Sequence, residues 1–221
     1  VDKITQALQA LASARKRAPG VIISYSGGKD SLAVTDMCVR TFERCEAFVM
    51  EYVPGLELID ERVDFALKRW GLKVRRYPHW SSINALRNGV FCDSHWTDES
   101  LPKATLAHIY AMAREDSGLK LIATGFKRAD GVWRKRTMAQ VANMRDVVTP
   151  IAGFQKVDVL QYLASRRIPV PDSEGSNANG VDLSTPSLLW LHDRHPRDFR
   201  RLCEVFPYAE AVVWRRRFYA S

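Results

Sequence analysis

Val21-Ile22-Ile23-Ser24-Tyr25-Ser26-Gly27-Gly28-Lys29-Asp30-Ser31 is the stretch that decides the fold of this chain. An apolar run ends in two glycines, and a lysine, an aspartate and a serine follow. Leu32, Ala33, Val34, Met37 and Cys38 then continue with helical spacing. The order reads strand, tight turn, helix. Gly27 and Gly28 lack a Cβ, so the turn bends sharply and its N–H groups can close on a ligand. The helix opens with unpaired N–H groups at the positive end of its dipole. A corner of this kind suits an anion, phosphate foremost.

Spacing narrows the choice. The common nucleotide loop requires G-x-x-x-x-G-K-[ST]. Here Asp30 follows Lys29, and Ile23 stands where the first glycine belongs, so that motif is absent. Ser26-Gly27-Gly28-Lys29-Asp30-Ser31 instead resembles the pyrophosphate loop of the adenine nucleotide alpha-hydrolase (PP-loop ATP pyrophosphatase) superfamily. The plainer reading is a strand-to-helix turn that uses glycine for geometry alone.

The bulk properties fit a globular chain. At 221 residues and 46% hydrophobic content there is material for one sizeable domain with a C-terminal elaboration. No apolar run approaches the roughly 20 residues of a membrane helix. The first residues lack a basic-then-apolar secretory pattern, which predicts a cytoplasmic location and no membrane partner. The four cysteines, Cys38, Cys45, Cys92 and Cys203, contain no C-x-x-C pair. That argues against a zinc ribbon, and no iron–sulfur cluster is expected. Cys92-Asp93-Ser94-His95 could form half a metal site, but no second half is visible. His192 and His195 read as surface residues. The net charge of +8 favours anionic partners. Arg215, Arg216 and Arg217, set between Trp214 and Phe218-Tyr219, suit either nucleic acid or the dipole at a helix C-terminus. The sequence leaves the oligomeric state open, a homodimer included.

Strand and helix signals alternate through the first 165 residues. Helices are expected over 2–17, from the glycine turn to about 42, and over 58–70, 103–116, 134–143 and 156–166. Strands are expected over 21–25, 47–52, 73–77, 119–125 and 146–151. The aromatic-rich stretch 78–101 reads as a binding lid or a packed loop with a short helix over 83–87. The alternation predicts an α/β fold, a parallel sheet with helices on both faces. Ligands then bind at the carboxyl ends of the strands, where the glycine turn sits. Residues 1–170 form that domain. Residues 171–221 are a flexible polar loop (172–180) and a helical extension over 187–191, 196–205 and 208–217.

A second constellation follows the fourth strand. Gly125 permits close backbone approach, and Lys127, Arg128, Arg134 and Arg136 crowd one loop. Four cations together are costly unless an anion sits among them; the plainer reading is a solvated basic loop. With Thr149-Pro150-Ile151, the helix containing Asp158 to Leu163, and Ile168-Pro169, residues 20–170 look like the phosphoadenosine phosphosulfate (PAPS) reductase family, in its shorter, phage-type form. The resemblance implies a five-stranded sheet of order 3-2-1-4-5 and an adenosine pocket between strands one, two and four. It implies nucleotide or phosphate contacts from Ser24, Ser26, Gly27, Gly28, Lys29, Asp30, Ser31, Glu51, Gly125, Lys127, Arg128, Arg134 and Arg136. Lys29, Asp30 and Arg128 are the expected catalytic residues, and Asp30 can ligate magnesium, directly or through water, because that hard ion prefers oxygen.

Two departures from the family matter. The C-terminal Glu-Cys-Gly-Leu-His whose thiolate attacks sulfate sulfur in the reductases is absent; Cys203 lies in Arg201-Leu202-Cys203-Glu204-Val205. Lys29 and Asp30, which the reductases usually lack, are present, as in ATP-using relatives such as the ATP sulfurylase small subunit, tRNA thiolation enzymes and DNA phosphorothioation proteins. The leading expectation is therefore an enzyme that cleaves ATP to an adenylate and pyrophosphate, with magnesium, to activate an acceptor. The alternative is a reductase or sulfotransferase acting on a sulfonucleotide (PAPS or APS), with Cys203 or an external thiol accepting sulfur. A third reading is a nucleotide-binding regulator without turnover.

Overall fold

The computed structural model describes residues 2–93, 97–98, 100, 102–131, 146–170 and 181–219. The expected helix over 134–143, Arg134, Arg136, Ser94, His95 and the loop 172–180 lie outside the described residues. The sheet has five strands: β1 (Gly20–Ser24), β2 (Arg44–Glu51), β3 (Val74–Pro78), β4 (Leu121–Ala123) and β5 (Val147–Val148). Their order is β3-β2-β1-β4-β5, as the family resemblance implied. β1 pairs in parallel with β2 (Ile23 opposite Ala47) and with β4 (Ile22 opposite Ile122), and β4 pairs in parallel with β5. The observed β4 and β5 are shorter than the expected spans 119–125 and 146–151, because the chain leaves the ladder early to form loops. β2 starts earlier than expected, at Arg44.

The helices of the described residues are α1 (Lys3–Arg17), α2 (Lys29–Val39), α3 (Glu57–Trp70), α4 (Trp80–Arg87), α5 (Leu106–Ser117), α6 (Lys156–Ser165), α7 (Thr185–Arg194), α8 (Pro196–Val205) and α9 (Glu210–Tyr219). The chain divides into two compact units. The first comprises Val1–Val49, Phe65–Arg75 and Tyr110–Asp172; the second comprises Met50–Asp64, Arg76–Ile109 and Ser173–Ser221.

In the first unit, α1 begins where the Asp2 carboxylate accepts the Thr5 N–H at 2.9 Å. It buries Ala7, Leu11 and Ala14, one face at helical spacing. These join Val21 and Ile23 of β1, Ala123 of β4, and Tyr162 and Leu163 of α6 in one core. Strand side chains alternate, so Ile22 points to the opposite face of the sheet. It is buried there as well, as are Phe48 and Tyr110, whose rings meet edge to face at 6.1 Å. Both faces of β1 are therefore covered, as a central parallel strand requires. α2 is buried almost all round, from Ser31 through Cys38.

In the second unit, Leu188, Leu191, Phe199, Leu202, Phe206, Ala209 and Val213 are buried. They come from α7, α8, α9 and the turn between the last two. The Asp198 carboxylate, 2% exposed, accepts the N–H groups of Glu57 and Leu58 at 2.7 and 3.0 Å. A carboxylate at a helix N-terminus satisfies orphan donors and complements the dipole. Arg201 adds a bond to the Pro54 carbonyl. Asp198→Ala should therefore lower stability by about 1–3 kcal/mol, a loss read as a lower denaturant midpoint. The 78–101 region holds α4, longer than the helix expected over 83–87. Tyr52, His79 and Trp80 stack in sequence, at 4.7 and 5.6 Å between rings.

Candidate phosphate-binding corner

The corner is built by the end of β1, the Ser26–Gly28 turn and the first turn of α2. Gly27 takes φ +72°, a left-handed conformation open to glycine and costly for a residue with a Cβ. Gly28 is the N-cap of α2, and no side chain caps it among the described residues. A helix start without a side-chain cap can offer its first-turn N–H groups to an external acceptor. Ser24, the last residue of β1, is half-buried.

The two serines brace the turn through their hydroxyls. The Ser31 hydroxyl accepts the Ser26 N–H at 3.2 Å and donates to the Gly28 carbonyl at 2.9 Å. The Gly28 N–H points at the Ser26 hydroxyl, 3.4 Å away. These bonds hold the turn in shape, so Ser31, 4% exposed, acts through the loop geometry. Thr35 continues the pattern by donating to the Ser31 carbonyl at 2.7 Å.

Charge is concentrated beside the turn. Lys29 and Lys127 are both buried, yet neither lacks a counter-ion. Lys127 Nζ lies 2.5 Å from Asp30 Oδ2 and 3.1 Å from Asp130 Oδ1. Lys29 Nζ lies 3.4 Å from the same Asp30 oxygen. Two ammonium groups and two carboxylates therefore balance. Lys127 reaches this position because a 3-10 turn over Arg128–Asp130 follows it, pinned by the Arg128 N–H to the Ala152 carbonyl at 3.0 Å. Of the expected basic loop, Lys127 turns inward onto Asp30 and Arg128 faces solvent, while Arg134 and Arg136 lie outside the described residues. Asp30 Oδ1 and Thr124 Oγ1 are buried with no hydrogen-bond partner among the described residues. Nothing in the sequence pointed to Thr124 in particular, since a threonine ending an apolar strand is unremarkable in a string of letters.

Gly125 serves the packing of this corner. A Cβ there would stand 3.1 Å from the Asp30 carbonyl carbon and 3.2 Å from the Ser31 nitrogen. The end of β4 thus rests directly on the backbone that starts α2. Gly125→Ala should push that backbone aside by a few tenths of an ångström and cost about 1–2 kcal/mol. The paired readout is a weaker nucleotide affinity, measured by titration calorimetry.

Glu51 belongs to the second unit, at the carboxyl end of β2. Burial raises its carboxyl above the ordinary range, and Arg76, 3.4 Å away, partly opposes that shift. Arg76 also pairs with Asp60 at 2.6 Å. The Asp93 carboxylate accepts the Tyr208 hydroxyl, so it is occupied within the protein. His192 pairs with Asp193 at 2.9 Å. Among the described residues no group of three or more His, Cys, Asp or Glu side chains is placed to hold a metal ion.

None of the four thiols is activated. Burial drives Cys38 well above its ordinary pKa, and takes Cys45 to about 11. Cys203 is likewise pushed up to about 11 by burial, with Glu210 adding to it. Burial raises Cys92, with Asp93 contributing.

A parallel β3-β2-β1-β4-β5 sheet with a glycine turn leading into an uncapped, lysine-bearing helix defines a PP-loop type of nucleotide-binding domain. The chain belongs to the phosphoadenosine phosphosulfate reductase domain family, which it matches over residues 20–172. Among solved structures it is similar to phosphoadenylyl-sulfate (PAPS) reductase from Candida auris, determined as a phosphate complex. The identity is 14%, the TM-score 0.53, and the match covers 78% of this chain and 86% of that one, which is a likeness of fold. No curated protein matches the sequence. Among the described residues no helix is long and apolar enough to cross a membrane.

Proposed function

We propose that this chain cleaves ATP between its α- and β-phosphates, releasing pyrophosphate and activating an acceptor as its adenylate. The reading rests on one observation above the others: Lys29, Asp30 and Lys127 converge at the uncapped start of α2. An acceptor oxygen attacks the α-phosphorus, and the bond from that phosphorus to the bridging oxygen breaks. The electron pair leaves with pyrophosphate. Charge grows on the leaving group, and preorganised donors facing it lower the barrier. The α2 N–H groups and Lys29 are such donors, while the Ser26–Ser31 bonds keep the turn from rearranging.

Asp30 Oδ1 is a hard oxygen, buried and without a hydrogen-bond partner among the described residues, and of the kind a magnesium ion takes. Asp30 would hold that ion, with phosphate and water oxygens as the remaining ligands. When bound, it would neutralise negative charge on the leaving pyrophosphate. Lys127 keeps the Asp30 carboxylate oriented through its other oxygen.

The second reading, sulfonucleotide reduction, is favoured by the family match and by the solved reductase of similar fold. It calls for a thiolate. A thiol with a pKa of about 11, as at Cys203, is about one-thousandth ionised at pH 8. Incubation with ATP and, separately, with PAPS discriminates the two. AMP or adenylate with pyrophosphate, unchanged in Cys203→Ala, supports ATP cleavage. Sulfite from PAPS, lost in Cys203→Ala or dependent on an added thiol, overturns it.

A further inference from the structure

We infer that the outer face of α9, formed by Trp214, Arg217 and Phe218 with Arg215 beside them, is a docking surface for single-stranded nucleic acid. Trp214 and Phe218 are one helical turn apart, on one side of the helix. Their rings stack at 5.9 Å and 16° between planes. They are 48% and 68% exposed, and Tyr219 beyond them is 82% exposed. The Arg217 guanidinium sits 5.6 Å from the Trp214 ring centre. Val213 on the other side is buried, and Arg216 pairs with Asp193 of α7 at 2.6 Å, so the helix is anchored while its aromatic side is presented.

Arginines in a last helical turn can merely complement the dipole. That account leaves the exposed ring stack unexplained, because a helix end has no need of open aromatic faces. Large apolar rings are ordinarily hidden, and a cluster left in water marks an interaction site. The charge selects the occupant. Residues 184–219 carry seven arginines against four acidic side chains, and Asp198 is turned inward onto α3. Arg215 and Arg217 have no carboxylate partner among the described residues. A second copy would oppose like charge with like charge. A strand of phosphates with unpaired bases answers both features, since bases stack on aromatic rings and guanidinium groups hold the backbone. A duplex keeps its base faces covered, which favours the single strand.

The test is fluorescence anisotropy of the full chain with a labelled oligothymidylate of about twenty nucleotides. Binding should weaken steeply between about 50 and 200 mM salt. Trp214→Ala and Phe218→Ala should each weaken it at least about fivefold. The double variant Arg215→Ala/Arg217→Ala should lower the slope of log affinity against log salt by about 1.4, the share of two phosphate contacts. Circular dichroism and ATP turnover, unchanged in these variants, exclude misfolding as the cause. Lys29→Ala should leave oligonucleotide affinity intact, which separates this surface from the phosphate corner. Absence of binding at the lower salt, or variants within twofold of the parent chain, overturns the inference. So does a dimer that Trp214→Ala dissolves, since the face would then belong to a second copy.

Discussion

Lys29→Ala is expected to lower pyrophosphate release from ATP by about 100- to 1,000-fold, the range found when one preorganised donor to a developing anion is removed. The side chain is 7% exposed and held at the start of α2, so it is already placed when the ligand arrives. Asp30, 3.4 Å from the Lys29 ammonium, is also held by Lys127 at 2.5 Å. Losing Lys29 therefore does not leave Asp30 as an uncompensated buried charge. The rate should fall far more than the melting temperature does, and that contrast identifies a chemical role. Lys29→Arg should restore little, because a planar fork does not fit where a compact ammonium sits. Turnover within tenfold of the parent, measured by coupled pyrophosphate detection on a folded variant, would remove Lys29 from the mechanism.

How much of this was readable in the letters varies with the physics involved. Val21-Ile22-Ile23 announces a strand buried on both faces, because only such a strand can be continuously apolar. Gly27-Gly28 announces the bend, and the φ of Gly27 shows why one of the two has to be glycine. The sheet order came from family resemblance, since alternation fixes the class of a parallel sheet and leaves open which strands are neighbours. The charge arrangement was harder. A string of Lys127, Arg128, Arg134 and Arg136 looks like a cationic loop, yet the short turn after Lys127 swings it inward onto Asp30 and Asp130. Pairing across about a hundred residues has no local signature. The same holds for Gly125, whose reason is the backbone of Asp30 and Ser31. Asp198 likewise reads as a surface charge on an amphipathic helix, and it is instead the acceptor for the start of α3.

Asp36 extends that point to stability, where Asp36→Ala should cost about 3 kcal/mol. Its carboxylate is 4% exposed in the middle of α2. It accepts the Tyr162 hydroxyl at 2.8 Å, the Arg166 Nε at 2.9 Å and the Trp70 indole N–H at 3.4 Å. One side chain thus ties α2, which carries the phosphate corner at its start, to α6 and to the end of α3. Burial first, and then the Asp36 carboxylate, push the Tyr162 phenol upward in pKa, so it remains a donor. With alanine at position 36, Arg166, more than a third exposed, can turn to water. Tyr162, 2% exposed, has no such exit, and its stranded donor sets most of the cost, with the half-buried Trp70 adding less. A chain of this size should then melt about 6–12 °C lower. Asp36→Asn keeps an acceptor oxygen and should lose less than half as much. Equal melting temperatures for the parent and Asp36→Ala would show that the three donors find other acceptors, and that α2 is held by its apolar packing alone.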